Sequence, residues 1–300
     1  MTDRSDWLTG QFEGERPRLR GVAYRMLGSV SEADDAVQEA WLRINRADTD
    51  GVENMAGWLT TVVARVCLNM LRSRDTRREV ALDTHVPDPI IGPEHMADPE
   101  QEALLADSVG LALMVVLETL SPAERLAFVL HDMFAVPFDD IGSMLDRSPA
   151  AARQLASRAR RRVRGGAPEP DPDVARQRKV VDAYFAAARD GDFDALVAVL
   201  HPDVVLRADA GPLRPRRTVV HRGAETVAAQ AQTAQALVPF VRPALVNGTA
   251  GAVAVAGQRV IAVLGFSVTD GLISAIDILV DPDRLAAIDV SMLDLTGGGA

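Results

Sequence analysis

The stretch that decides the reading is Pro137-Phe138-Asp139-Asp140-Ile141-Gly142-Ser143-Met144-Leu145-Asp146-Arg147-Ser148-Pro149, continued by Ala150-Ala151-Ala152-Arg153-Gln154-Leu155-Ala156-Ser157-Arg158-Ala159-Arg160-Arg161-Arg162-Val163. A short helix predicted over 137–145 meets the turn Asp146-Arg147-Ser148. Ser148-Pro149 then opens a second helix, because Ser caps the free N–H groups and Pro has none to lose. Two short helices across a tight turn, the second rich in Ala and Arg, form the helix-turn-helix pattern. A helical hairpin with a merely solvated basic face has the same outline, and the Arg density separates the two. Ala150, Ala151 and Ala152 allow close approach to a groove. Arg153, Gln154 and Ser157 can reach base edges, whereas Arg158, Arg161 and Arg162 suit phosphates.

Charge is unevenly spread around this stretch. Between Asp146 and Gly166 stand Arg147, Arg153, Arg158, Arg160, Arg161, Arg162 and Arg164 against Asp146 alone, while 84–124 carries no Lys or Arg. The net charge of −10 therefore hides a strongly basic helix, and totals mislead when segments differ. With 300 residues, 48% hydrophobic and 25% charged, the chain reads as folded and multi-domain. Cys67 is the one cysteine, so no internal disulfide is possible, and no Cys/His cluster has zinc-ligand spacing. No metal and no cofactor are expected. Met1 to Arg20 is charged throughout, and no run approaches the roughly 18 apolar residues needed to cross a bilayer. The expected setting is cytoplasmic, without membrane association.

Upstream, 15–80 reads as helices. Leu19, Val22, Ala23, Met26 and Leu27 recur at helical spacing, and Gly28 ends the run. Ser31-Glu32-Ala33-Asp34 has capping-box form. Behind it Ala33, Val37, Ala40, Trp41 and Ile44 share one face, and Asp34, Asp35, Gln38, Glu39 and Arg43 the other. A third helix over 55–74 carries Trp58, Leu59, Val62, Val63, Val66, Leu68 and Leu71, and gathers Arg72, Arg74, Arg77 and Arg78 at its end. Prolines at 87, 89, 93 and 99 predict a stiff, extended, acidic linker over 81–103. Helices return over 104–120, and Ser121-Pro122-Ala123-Glu124 is a strong helix start.

Gly165-Gly166-Ala167-Pro168-Glu169-Pro170-Asp171-Pro172-Asp173 is a second linker. Beyond it, 174–189, 193–200 and 224–237 read as helices, and 204–208, 242–246, 252–256, 259–267 and 272–279 as strands. Turns fall at Asn247-Gly248, Gly257 and Asp270-Gly271. This predicts an α+β domain, a curved antiparallel sheet with helices on one side.

The first 165 residues resemble bacterial sigma-70 family factors of the extracytoplasmic-function group. Ser31-Glu32-Ala33-Asp34-Asp35-Ala36-Val37-Gln38-Glu39-Ala40-Trp41-Leu42-Arg43 and Gly57-Trp58-Leu59 through Arg65, Asn69 and Leu71-Arg72 resemble region 2. Leu120-Ser121-Pro122-Ala123-Glu124-Arg125 through Arg160-Arg161-Arg162 resembles region 4. The C-terminal part resembles the SnoaL-like branch of the nuclear-transport-factor-like fold, a pairing found in a subgroup with a fused extension. Its marks are Val86-Pro87-Asp88-Pro89, Asn247-Gly248-Thr249-Ala250-Gly251 and Asp281-Pro282-Asp283-Arg284-Leu285. Where the pattern has Trp-Leu before Pro-acid-Pro, this chain has His85-Val86.

The resemblance implies a fold of two all-α sigma domains followed by an α+β SnoaL-like cone: region 2 over 1–82, the acidic linker over 83–103, region 4 over 104–166 and the SnoaL-like domain over 174–290. It implies a non-enzyme, the promoter-specificity subunit of RNA polymerase, with core polymerase and promoter DNA as partners. Asp34, Asp35, Gln38 and Glu39 would dock on polymerase, with Trp41 packed beneath. Trp58, Arg65, Asn69 and Arg72, with the loop over 47–55, would meet the −10 element. There a base leaves the stack for a pocket, at a cost of about a few kcal/mol. The helix bearing Arg153 would read the −35 element, and the acidic linker would follow the polymerase's basic RNA channel. Contacts of Pro87, Asp88 and Pro89 with Asn247, Gly248, Asp281, Pro282 and Asp283 would couple the linker to the C-terminal domain.

Two other readings use the same residues. A helix-turn-helix regulator with a small-molecule sensor needs no region 2. A cyclase-like C-terminal domain would draw on Tyr184, His201, Asp209, His221 and Asp277, no two of which form a recognisable dyad. A non-catalytic regulatory module, with room for a small-molecule ligand, is preferred.

Overall fold

The computed structural model describes residues 2–47, 51–75, 85–92, 110–166, 171–214, 218–257 and 259–288. The chain divides into two compact units, Met1–Val80 with Val116–Gly166, and Ala81–Val115 with Ala167–Ala300. Arg77, Arg78, the linker residues over 93–103, the helix start over 104–109 and part of the loop over 47–55 lie outside the described residues.

Among the described residues, the first unit's regular elements are all helices. α1 (Thr2–Leu27), α2 (Val30–Ile44) and α3 (Met55–Asp75) pack on one another. Leu19, Val22, Ala23, Met26 and Leu27 of α1 meet Ala33, Val37, Ala40 and Ile44 of α2 and Leu59, Val63, Val66 and Leu68 of α3 in the buried core. α1 starts well before the periodic stretch that announced it and carries Pro17 inside. Gly28, with φ +72°, ends it and returns its N–H to the Tyr24 carbonyl at 2.8 Å.

The capping box expected on Ser31 is not formed. Ser29 is the last extended residue before α2 and Ser31 is already helical. The carboxylate meant for the cap, Asp34, is held instead by Arg20 through two bonds of 2.6 and 3.1 Å. Two long donors on a neighbouring helix outcompete one local N–H.

α4 (Leu111–Glu118) leads to α5 (Pro122–Phe128), whose capping box is complete: the Ser121 hydroxyl accepts from the Glu124 N–H and the Glu124 carboxylate from the Ser121 N–H. A π-helical turn (Val129–Met133) follows. α6 (Phe138–Leu145) and α7 (Pro149–Gly166) cross at a turn in which Asp146 adopts left-handed φ 53°, ψ 44°. Gly142 is the residue this turn requires. A Cβ there would stand 2.7 Å from the Arg147 carbonyl oxygen, closer than atoms tolerate. The Arg147 N–H bonds the Gly142 carbonyl at 2.9 Å, and the Ser148 hydroxyl caps α7 at Ala151.

The second unit is a seven-stranded mixed sheet, β1 (Ile91–Gly92), β2 (Leu200–Asp209), β3 (Val219–Arg222), β4 (Val241–Val246), β5 (Thr249–Ala256), β6 (Arg259–Thr269) and β7 (Leu272–Leu279), in the order β1-β4-β5-β6-β7-β2-β3. Among the described residues only β2 with β7 is parallel. Asn247-Gly248 and Asp270-Gly271, all four at positive φ, are the two-residue turns that match strand twist. α8 (Val174–Asp190), α9 (Phe193–Val199) and α10 (Ala224–Thr233) cover one face. Val181, Tyr184, Leu196, Val204, Leu206, Val227, Phe266 and Ile276 form the core there.

Two strands escape the sequence pattern. β3 is four residues long, and β1 is two residues inside a proline-rich stretch that predicts a stiff, extended linker. The helix expected over 224–237 ends at Thr233 and gives way to a 3-10 turn (Gln235–Phe240), since Pro239 disfavours α geometry at Val238.

Candidate nucleic-acid and partner interfaces

Successive turns of α7 bury Ala152, Leu155, Ala156 and Ala159. Arg153, Gln154, Ser157, Arg158, Arg161 and Arg162 are exposed together on the opposite face. These six are not equivalent. The Arg153 guanidinium lies 5.1 Å from the Phe138 ring centre, which fixes the side chain at the start of the helix. Arg162 donates to Glu124 at 2.9 Å, the carboxylate that already completes the α5 cap, and Arg160 pairs with Asp132. Arg158 and Arg161 have no ion-pair partner among the described residues, so their charge is available to a phosphate.

On α2, the four polar residues singled out by pattern sit in two settings. Asp34 is clamped by Arg20, and Glu39 by Arg43 at 2.9 Å, while Asp35 and Gln38 are exposed. Trp41 is half-buried, 4.6 Å centre to centre from the buried Phe12 ring. Between α2 and α3 runs an open groove of about 550 Å³, lined by Asp35, Gln38, Glu39, Leu42, Val66 and Met70 among others. Its apolar floor was not legible in the sequence, because Leu42, Val66 and Met70 come together only when the helices cross. Asn69 lines this groove too. Arg65, Asn69 and Arg72 are exposed along one stripe of α3, with half-buried Trp58 four residues before Val62 at its start.

The marks of the linker and of the C-terminal segment meet in the second unit. Val86 is fully buried, its N–H donating to Asp209 Oδ2 at 3.0 Å. Arg284 donates to the Val86 carbonyl, to Asp88 at 2.7 Å through Nε, and to Asp209 at 3.0 Å through Nη1. Asn247 is fully buried and holds Ile90 twice, accepting its N–H at 2.9 Å and donating to its carbonyl at 2.8 Å. Ile91 and Gly92 then pair with Val246 and Leu245. Asp281 caps α11 (Pro282–Ala286) by accepting from the Asp283 N–H, which sets Arg284 in place. His85, which stands where the pattern has Trp, lies 3.1 Å from Asp209. Burial alone would push the Asp209 carboxyl up. Hydrogen bonds from His85, Val86 and Gly211 overcome this and hold it at about 2.

The five residues of the cyclase-like reading do not converge. Tyr184 lies in the helix-covered core beside Phe185 and Phe266, and burial pushes its phenol up to about 12. Asp209 and Asp277 alternate to the other sheet face. Asp277 is buried and pairs with Arg207 at 3.1 Å; burial pushes its carboxyl up and Arg207 partly offsets this. His201 bonds locally to the Asp203 N–H. Among the described residues, none of the five is bonded to another.

A basic helix-turn-helix and an acidic-faced helical bundle, with a sheet domain that bonds to the segment between them, define a multi-domain transcription factor. Residues 12–77 match the family model for sigma-70 region 2, and 110–163 that for sigma-70 region 4. The chain is 40% identical over 294 residues to the ECF RNA polymerase sigma factor SigJ of Mycobacterium tuberculosis, covering 91% of this chain and 92% of that protein. It is 34% identical over 300 residues to the probable ECF RNA polymerase sigma factor SigI of the same species, covering 98% and 99%. The crystal structure of M. tuberculosis SigJ superposes with a TM-score of 0.74 at 36% identity, over 93% of this chain and 98% of that one.

The chain belongs to the extracytoplasmic-function sigma factors of RNA polymerase. These are promoter-specificity subunits and not enzymes, and they bind core polymerase and promoter DNA. The simpler helix-turn-helix regulator is set aside by the region 2 match. Among the described residues no helix is long and apolar enough to cross a membrane.

Proposed function

We propose that this sigma factor sets its own promoter output through its sheet domain, which holds the segment 85–92 that connects the two promoter-reading modules. One observation carries the reading: Asp209 and Arg284 grip both backbone atoms of Val86 and the carboxylate of Asp88. A segment fixed this way has less freedom to lie in the polymerase's RNA channel, so the grip tunes how readily the modules spread over a promoter. In the same reading, Asp34, Asp35, Gln38, Glu39 and Trp41 dock on polymerase. Trp58, Arg65, Asn69 and Arg72 meet the −10 element. The exposed face of α7 reads the −35 element, with Arg153 and Gln154 at bases and Arg158 and Arg161 at phosphates. The setting is the cytoplasm, and a ligand of the sheet domain would act by strengthening or loosening the same grip.

The test is run-off transcription with reconstituted polymerase on a promoter selected in vitro from a random pool. Arg284→Ala should change output at equal polymerase occupancy. Unchanged output, with the sheet domain still folded, removes the proposal.

A further inference from the structure

The passage from α5 into α6 has two uncommon backbone features. The helix runs on as a π turn over Val129–Met133, one residue wider than an α turn, and such turns concentrate at functional sites. It ends on Ala135, held at left-handed φ 55° where helices ordinarily place glycine. The Ala135 N–H returns to the His131 carbonyl at 3.1 Å and the Val136 N–H to the Leu130 carbonyl at 2.9 Å, the two bonds of a Schellman end. A strained L residue of this kind points to a function.

Both features serve one ring. The fold-back brings the Val136 carbonyl to 3.0 Å from His131 Nδ1. A carbonyl only accepts, so Nδ1 carries the hydrogen and the imidazole is fixed in orientation. That imidazole stacks on Phe138, the first residue of α6, with ring centres 3.8 Å and planes 28° apart. Over the same Phe138 ring, at 5.1 Å, stands the Arg153 guanidinium of α7. A carbonyl, an imidazole, a phenyl ring and a guanidinium thus form one chain of contacts across the turn.

Stacking uses the flat face of a guanidinium and spends none of its N–H groups, which lie in the plane. Among the described residues no carboxylate or carbonyl takes those of Arg153. Arg160 and Arg162 differ, because Asp132 and Glu124 hold them. Arg158 and Arg161 lie over no aromatic ring among the described residues, so nothing fixes their planes. A phosphate accepts a cation from many directions, whereas a base edge does not. Guanine offers N7 and O6 side by side in one plane, and discrimination depends on meeting them with an aligned fork. A side chain ordered beforehand also loses less rotamer freedom on binding.

We propose that Phe138, backed by His131, is the positioning residue that makes Arg153 a guanine reader in the −35 element. This rests on α7 being the helix that reads that element. Phe138 acts only through Arg153, by holding its fork in the plane of the base edge before DNA arrives.

The test uses the full chain with core polymerase and promoters selected from a random pool, each −35 base pair replaced in turn by the other three. Run-off rate gives the base preference at every position. The parent should favour a G·C pair about tenfold or more at one position, and Arg153→Ala should abolish that preference alone. Phe138→Leu, which keeps apolar volume without the ring, should lower the same preference several-fold and leave the other positions and the salt slope unchanged. Phe138→Tyr, which keeps the ring, should retain it. In an Arg153→Ala background Phe138→Leu should change nothing further. Thermal melting checks folding. If Phe138→Leu is unfolded, His131→Gln, which keeps a donor for the Val136 carbonyl and loses the ring, decides by the same criteria. A preference left intact, an equal loss at every position, or a loss that persists without Arg153 overturns the positioning role. A favoured A·T pair at the Arg153 position overturns the guanine assignment. If Arg153→Ala leaves every −35 preference as it was, the assignment of α7 to that element falls first, and the positioning role with it.

Discussion

Arg284 donates to Asp209 at 3.0 Å although 75 positions separate them, and the same guanidinium reaches Asp88, 196 positions away. One side chain thus ties the last helix, a sheet strand and the inter-module segment into one cluster. Arg284→Ala removes three bonds from this cluster and should destabilise the sheet domain by about 2–3 kcal/mol. Denaturant unfolding checks the loss. Amide exchange at Val86 and Ile90, whose N–H groups are bonded only while the segment is seated, should speed up together.

The Asp209 carboxyl sits at about 2, below its ordinary 3.8, so the folded state favours its charged form. The resulting stability is full above about pH 4 and is lost as the pH falls through 2. Its size is about 2 kcal/mol. Asp209→Asn should flatten the acid limb of a stability–pH curve between pH 4 and 2. An acid limb unchanged by the substitution would assign that limb to other carboxylates. Asp277 works with the opposite sign: burial raises its pKa, so lowering the pH relieves the cost of keeping it charged.

Gly142→Ala places a methyl against the Arg147 carbonyl at 2.7 Å. The turn between α6 and α7 must open, at a cost of about 1–3 kcal/mol. Affinity for a −35 duplex should fall with it, while the α1–α3 core is untouched. Calorimetry and duplex binding on one preparation test both halves.

Arginines on α7 should separate by salt dependence. Arg153→Ala should cost roughly 1–3 kcal/mol of discrimination at one base position. Arg158→Ala and Arg161→Ala should weaken all sequences evenly and reduce the log–log salt slope by about 0.9 each. Arg162→Ala should change the slope less, because Glu124 already holds that charge. A uniform loss for Arg153→Ala would move it to the phosphate group.

Cys67 is fully buried in α3, and burial pushes its thiol up to about 12. Thiol reagents should modify it only as the helical unit unfolds, which makes labelling rate a reporter of that unit. Fast labelling of the folded chain would contradict the packing of α3.

Local pattern was enough to announce most helices and the larger strands, since apolar spacing, Ser121-Pro122-Ala123-Glu124, Ser148-Pro149 and the Asn-Gly and Asp-Gly turns act within a few residues. The capping reading of Ser31 failed because Arg20, from another helix, captured Asp34. The groove floor of Leu42, Val66 and Met70 needed two helices to cross before it existed.

By itself, the sequence determined two helical modules, a basic reading helix and a C-terminal sheet, because periodicity and turn chemistry are properties of neighbours. The motif resemblance pointed to contacts between 87–89 and the C-terminal domain; tertiary structure decided which groups make them and that Ile91 and Gly92 join the sheet. Prolines there forbid a helix and say nothing of partners. The groups that hold the segment, Asp209, Asn247 and Arg284, come from 123 to 198 positions further along. No local signal can encode which distant donor a buried carbonyl will find.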